Sequence, residues 1–215
     1  MKLLKINPSH PEKKKLKIAA EVIKAGGIVA FPTETVYGLG TDALNPIAVA
    51  SVFQKKNRPL DQPLIIAIAS PSEITRLVKT IPKKAKQLID KFFPGPLTLV
   101  LLKSEIVPDI VTGGTEKVAF RIPNHPVALE LLKETKRPIT ATSANRTGHP
   151  SPTDAKQVLN DFGNSLDLIL DAGPTKLGIE STILDLTGKP TILRLGAVSK
   201  EAIETIIGNV RVEKL

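Results

Sequence analysis

Short apolar runs recur along this chain, separated by segments whose apolar positions fall three and four residues apart. The runs at 28–31, 64–69, 97–102, 118–122, 138–142, 166–170, 182–186 and 191–194 predict β-strands. The helical spacing predicts helices over 9–25, 47–56, 72–93 (broken at Ile81-Pro82), 127–136, 154–162 and 200–207. Ser9 and Glu12 read as a capping box around Pro11, with Leu16, Ala19, Ala20 and Ile23 on one face. Asn45-Pro46 reads as an N-cap followed by proline at the first helical position, and Thr153 as the cap of the helix after it.

One stretch, Gly26 to Ala69, organises the rest. A double glycine leads into a strand that Pro32 stops. A hydroxyl-rich loop, Thr33 to Gly40, follows, then a helix that ends in the basic knot Lys55-Lys56-Asn57-Arg58-Pro59 and a second strand. This is a βαβ-like unit with hydroxyls and cations in reach of one crevice, where open α/β sheets bind ligands. A second polar loop, Ser143 to Gly148, again follows a strand. Strands and helices alternate with no internal repeat or low-complexity linker, which predicts a single α/β domain over residues 1–208 and a polar tail at 209–215. Helix-free joins between residues 165 and 195 predict antiparallel neighbours. The sheet should therefore be twisted and mixed, with flanking helices.

Composition narrows the chemistry. The 215 residues include no cysteine, which excludes disulfides and thiolate catalysis and fits the cytoplasm. No apolar run reaches the roughly 18–20 residues that span a bilayer, and the basic start has no apolar signal core, so no membrane partner is expected. Thirty basic against 21 acidic residues give a net charge of +9. Such a balance suits anionic partners such as nucleotides, phosphates or tRNA, or else solvated lysines on helix faces. Only 3% of residues are aromatic, which favours phosphate contact over base stacking. There is no P-loop, no complete dinucleotide fingerprint, no nucleophile elbow and no histidine pair at metal-ligand spacing. What remains is a surplus of hydroxyls, amides and cations at successive strand ends.

Each of these residues has two readings. Lys56 and Arg58 suit either a helix C-terminus or a polyphosphate. Arg121, in an apolar strand, needs a partner: a ligand carboxylate or an internal Asp or Glu. Thr33, Thr35, Ser143 and Asn145 serve turns equally well. His10, His125 and His149 are scattered and read as structural or solvated.

Together, FPTETVYGLGTDA, the Lys56-Asn57-Arg58 KxR, PGPLTLVL at 94–101, RIPNHP at 121–126, TSAN at 142–145, the Thr147–Thr153 segment and GIESTILDL at 178–186 resemble the YrdC family. These are the threonylcarbamoyl-AMP synthases of tRNA modification, and the resemblance runs from about residue 15 to 208. It implies a twisted α/β sheet around a positively charged cavity. It also implies a reaction: L-threonine, bicarbonate or CO2 and ATP give threonylcarbamoyl-adenylate and pyrophosphate, with Mg2+ carried on the nucleotide. The product feeds the downstream machinery of t6A synthesis at position 37 of tRNA. By motif match, Thr35, Arg121 and Ser181 meet threonine, and Lys56 and Arg58 meet the phosphates. Gln62, Lys117, Ser143, Asn145, Ser151 and Arg194 join Arg58 at the nucleotide. Family members often carry histidine just after PLI, where this chain has Ile65-Ile66-Ala67-Ile68, and Arg-Pro-Gly where it has Arg194-Leu195-Gly196.

The chemistry so implied needs no protein nucleophile and no base of strongly shifted pKa. Replacing Lys56 by alanine is then expected to remove most pyrophosphate release and leave the fold intact. Two other classes compete. One is the hydrogenase-maturation carbamoyltransferases, which share this domain type but carry acylphosphatase and zinc-finger modules. The other is a non-catalytic RNA-binding module, whose binding would fall steeply with salt. The family has short and long forms, and residues 209–215 fall where the linker of the long form would begin.

Overall fold

The computed structural model describes residues 2–213. The elements run β1 (Lys2–Lys5), α1 (Lys13–Lys24), β2 (Val29–Phe31), β3 (Gly38–Gly40), α2 (Pro46–Lys56), β4 (Ile65–Ala67), α3 (Ile74–Leu77), α4 (Lys83–Phe92), β5 (Leu97–Leu102), β6 (Lys117–Arg121), α5 (Pro126–Thr135), β7 (Ile139–Thr140), β8 (Thr142–Ser143), α6 (Ala155–Phe162), β9 (Leu168–Asp171), β10 (Thr182–Asp185), β11 (Thr191–Arg194), α7 (Lys200–Ile207) and β12 (Arg211–Val212). Among the described residues, no helix is long and apolar enough to cross a membrane.

The strands form two sheets, ordered β1-β9-β2-β3-β8 and β12-β11-β10-β5-β6-β4-β7, each with parallel and antiparallel neighbours. A single segment joins them. Ile139–Thr140 pairs with β4 in the larger sheet, and Thr142–Ser143 pairs with β3 in the smaller. The predicted βαβ-like unit is therefore split: β2 and β4 belong to different sheets, and the crevice opens where those sheets diverge.

Alternation along the strands assigns the layers. In β2, Val29 and Phe31 pack with α1 and α5, while Ala30 packs on the opposite side. Strand β9 divides the same way, with Leu168 and Leu170 on the first face and Ile169 on the second. Being covered on both faces, such strands read as unbroken apolar runs, which is why the sequence shows them plainly. The larger sheet differs. Leu97, Leu99, Leu101, Val118 and Phe120 face the helical core. By the two-residue period and the register Ile65↔Ala119, Ala67↔Arg121 and Ile183↔Thr98, the other face presents Ile65, Thr98, Ala119, Arg121 and Ile183. Much of this second face lines a cavity.

Several local expectations change. Residues 38–40, read as the end of a loop, are a strand. Its glycines are steric: a Cβ on Gly38 would lie 3.0 Å from the Phe31 ring, and one on Gly40 would lie 2.7 Å from the Thr140 carbonyl oxygen. Glu12 rather than Ser9 precedes α1, and its carboxylate accepts from the Asn7 amide at 3.0 Å and pairs with Lys15, so no capping box forms with Ser9. Asp154, not Thr153, caps α6 through Gln157 N at 2.8 Å. Asn45 caps α2 as expected, accepting from the amides of Ile47 and Ala48. Strands β1 and β12 were not anticipated. The latter lies within the segment read as a polar tail, whose last two residues fall outside the described ones.

Candidate active site

Where the sheets diverge lies a cavity of about 210 Å³ lined by Thr35, Arg58, Arg121, Ser143, Ser181 and Arg194, with Glu180 its one carboxylate. A smaller void of about 20 Å³, room for about one water, adjoins it between Thr33, Ala67 and Arg121. Six of the eleven sequence-designated residues thus converge on one hollow from separate segments.

Arg121 ends β6, and its guanidinium turns back under the hydroxyl loop. Nη1 donates to Thr35 Oγ1 at 3.1 Å and Nη2 to Glu34 Oε1 at 2.6 Å, both ends of the ion pair being buried. Of the two partners the sequence allowed, the structure supplies the internal carboxylate. Burial pulls the arginine pKa down, and Glu34 opposes that pull. The Thr35 hydroxyl also bonds Thr33 Oγ1 at 2.8 Å. Ser181, at the start of β10, bonds Thr98 Oγ1 at 2.9 Å. Arg194, across the sheet on β11, sends Nε and Nη2 to the Ser181 carbonyl at 3.2 and 2.9 Å and Nη1 to Glu180. Arg58 follows the left-handed C-cap Asn57 and folds over its own loop, donating to the carbonyls of Gln62 and Pro63.

Lys56 behaves differently from the expectation. It is 1% exposed and is not among the lining residues. Its Nζ donates to the main-chain carbonyls of Ser143 and Asn145, each at 2.5 Å, and the Thr147 amide donates to the Lys56 carbonyl at 2.8 Å. The ammonium thereby fastens the second polar loop to the end of α2. Burial, then repulsion by Arg58, brings its pKa to about 7, so the site does hold a strongly shifted amine.

The remaining designated residues lie around the hollow. Asn145 is buried and donates to the His149 carbonyl at 2.6 Å, while the Ser151 hydroxyl donates to Glu180. Gln62 is exposed. Lys117 shares the cavity face of β6 but sits four residues from Arg121, about 13 Å along a strand, paired with Asp185 at 2.8 Å. Sequence reasoning missed Glu34, Thr98 and Glu180. Only Glu34 left a signal, as the acid an internal arginine would require.

Of the five buried side-chain atoms without a hydrogen-bond partner among the described residues, three belong to this neighbourhood: Glu34 Oε2, Arg121 Nε and Asn145 Oδ1. Such atoms are rare in protein interiors and mark this hollow as polar ground.

The family model for Sua5, YciO and YrdC, described as telomere recombination, matches residues 21–196. The chain belongs to the Sua5/YciO/YrdC family. It is similar to the threonylcarbamoyl-AMP synthase of Pyrococcus abyssi, with 51% identity over 202 residues, 94% of this chain and 59% of that protein. The corresponding Bacillus subtilis enzyme is 46% identical over 91% of this chain and 57% of that protein. The crystal structure of P. abyssi Sua5 complexed with L-threonine superposes with a TM-score of 0.97 at 48% identity, covering 99% of this chain and 63% of that one. This chain therefore spans about three-fifths of the length of these family members. Ala67, in the segment after Pro63-Leu64-Ile65, lines the small void beside Arg121.

Proposed function

We propose that this chain is an L-threonylcarbamoyladenylate synthase, making threonylcarbamoyl-AMP and pyrophosphate from L-threonine, bicarbonate and ATP. The observation that carries the reading is the convergence of Thr35, Arg58, Arg121, Ser143, Ser181 and Arg194 on one cavity. The names of the relatives, and the threonine bound to one of them, support it.

In this reading the threonine carboxylate meets Arg121 beside the hydroxyls of Thr35 and Ser181. The triphosphate meets Arg58 and Arg194, with Ser143, Asn145 and Ser151 on the nucleotide and Gln62 and Lys117 as outlying contacts. Mg2+ arrives on ATP as part of the substrate. Bicarbonate and a proton give CO2 and water, and the threonine amine captures the CO2, returning the proton, to form a carbamate whose oxygen attacks the α-phosphorus. The bond to the bridging oxygen breaks and pyrophosphate leaves. Positioning and charge neutralisation are the protein's contribution. Lys56 acts at one remove, by fixing the Ser143–Asn145 loop. The adenylate then passes, in the cytoplasm, to the machinery that modifies tRNA at position 37.

Pyrophosphate release from ATP, measured with threonine and bicarbonate added singly and together, tests this. Release is expected only when both are present. Release indifferent to threonine, or salt-sensitive RNA binding with no ATP consumption, would contradict it.

A further inference from the structure

Glu180 is the one carboxylate among the residues lining the cavity, and it stands among its cations. It accepts from the Ser151 hydroxyl through Oε1 and from Arg194 Nη1 through Oε2. Its field also reaches Lys56 and Arg58, where it opposes the downward pull of burial on their pKa values. The main chain beneath it is pinned. The Ala197 amide donates to the Glu180 carbonyl at 2.9 Å, and a Cβ on Gly196 would lie 2.2 Å from that oxygen. The side chain itself is 30% exposed, held on this fixed base by Ser151 and Arg194.

A hydroxyl and a guanidinium converging on two carboxylate oxygens are the donors that a phosphate takes. We propose that Glu180 is a resident counter-anion: it holds Ser151 and Arg194 in the absence of ligand, and a polyphosphate takes both donors from it on binding. The inference rests on the nucleotide reading of the cavity. The exchange weakens anion binding in general. A small anion that reaches only one donor gains too little to displace the carboxylate, whereas a polyphosphate that also spans to Arg58 can. Return of Glu180 to its donors then helps pyrophosphate leave.

The test is a calorimetric titration of inorganic pyrophosphate into the full chain, comparing wild type with Glu180→Gln at several KCl concentrations. Removing the competing charge is expected to tighten pyrophosphate binding by about tenfold. Added salt should narrow that gap, because screening weakens the competing charge. Unchanged or weaker binding by a variant with the wild-type melting temperature overturns the proposal, as does a failure of pyrophosphate to bind either protein. Should Glu180→Gln not fold, Glu180→Asp, which withdraws the charge by one methylene, carries the comparison. It is expected to tighten binding by about threefold, and equal or weaker binding is again fatal. Threonine-dependent turnover of the wild type is followed in parallel. Its absence alongside tightened binding would fault the threonine reading and leave the role of Glu180 standing.

Discussion

Replacing Arg121 by alanine is expected to destabilise the fold by about 3–5 kcal/mol, the usual result of removing one partner of a buried ion pair. Glu34 would be left buried, with Oε1 losing its guanidinium and Oε2 already unpaired. Against a typical total of about 5–15 kcal/mol, a loss of this size brings the chain close to unfolding at assay temperature. Removing both charges together should be milder. The double variant Glu34→Gln, Arg121→Met keeps much of the volume and leaves no uncompensated ion, so it is expected to recover more than half of the loss in urea denaturation. Threonine binding, measured on that folded double variant, should still be abolished. A double variant as unstable as Arg121→Ala would show that the pair is not what makes the single change costly.

Lys56→Ala should also lower stability, contrary to the expectation from sequence that the fold would be untouched. The change removes the lysine donor from the buried Asn145 carbonyl and the part-buried Ser143 carbonyl, a loss of about 1–3 kcal/mol for a buried acceptor left unpaired. A loss of about 2–5 kcal/mol is expected, with most activity gone because the loop bearing Ser143 and Asn145 is no longer held. The lysine carries a pH signature as well. Its folded-state pKa of about 7 lies below the ordinary value of 10.5. Between those values the unfolded chain binds more protons than the native one, so this group makes stability rise with pH from about 7 towards 10. The gap in melting temperature between wild type and Lys56→Met should therefore widen as pH is raised. A gap that stays constant or narrows would mean that the amine is not held below its ordinary value of 10.5 in the fold.

Helix α2 buries Ala48, Val49, Val52, Phe53 and Lys56. Lys56 therefore continues the apolar stripe at the next helical step, and the signal for an inward lysine was present. It was masked by the neighbouring Lys55 and Arg58, which made the whole knot read as helix-terminal or phosphate-binding cations. Arg58 escapes only because Asn57 takes a left-handed conformation, φ 50°, and turns the chain.

Other elements divide along the same physical line. Strands covered on both faces, such as β2 and β9, were legible as apolar runs. Strand β3 was not, because two of its three residues are glycines required by the Phe31 ring and the Thr140 carbonyl rather than by any turn. Arg121 announced itself as a guanidinium in an apolar strand that needed a partner, but only the folded chain shows that partner to be Glu34. Glu180 could not be read in advance. Its role depends on Ser151 and Arg194, which lie 29 residues before it and 14 after it and meet it only in the folded chain. The family resemblance grouped Thr35, Arg58, Arg121, Ser143, Ser181 and Arg194 before the geometry did, without Glu34 or Glu180. It could not distinguish those that line the hollow from Lys56, which braces it from behind.

One cavity, in the proposed function, holds a triphosphate and an amino acid side by side. Amide chemical-shift mapping of the 15N-labelled chain, titrated with ATP and L-threonine separately and together, tests it most directly. Threonine is expected to perturb Thr35, Arg121 and Ser181, ATP to perturb Arg58, Ser143 and Arg194, and each ligand to sharpen the response to the other. Perturbations that map to separate surfaces, or two ligands that compete instead of assisting one another, would contradict it.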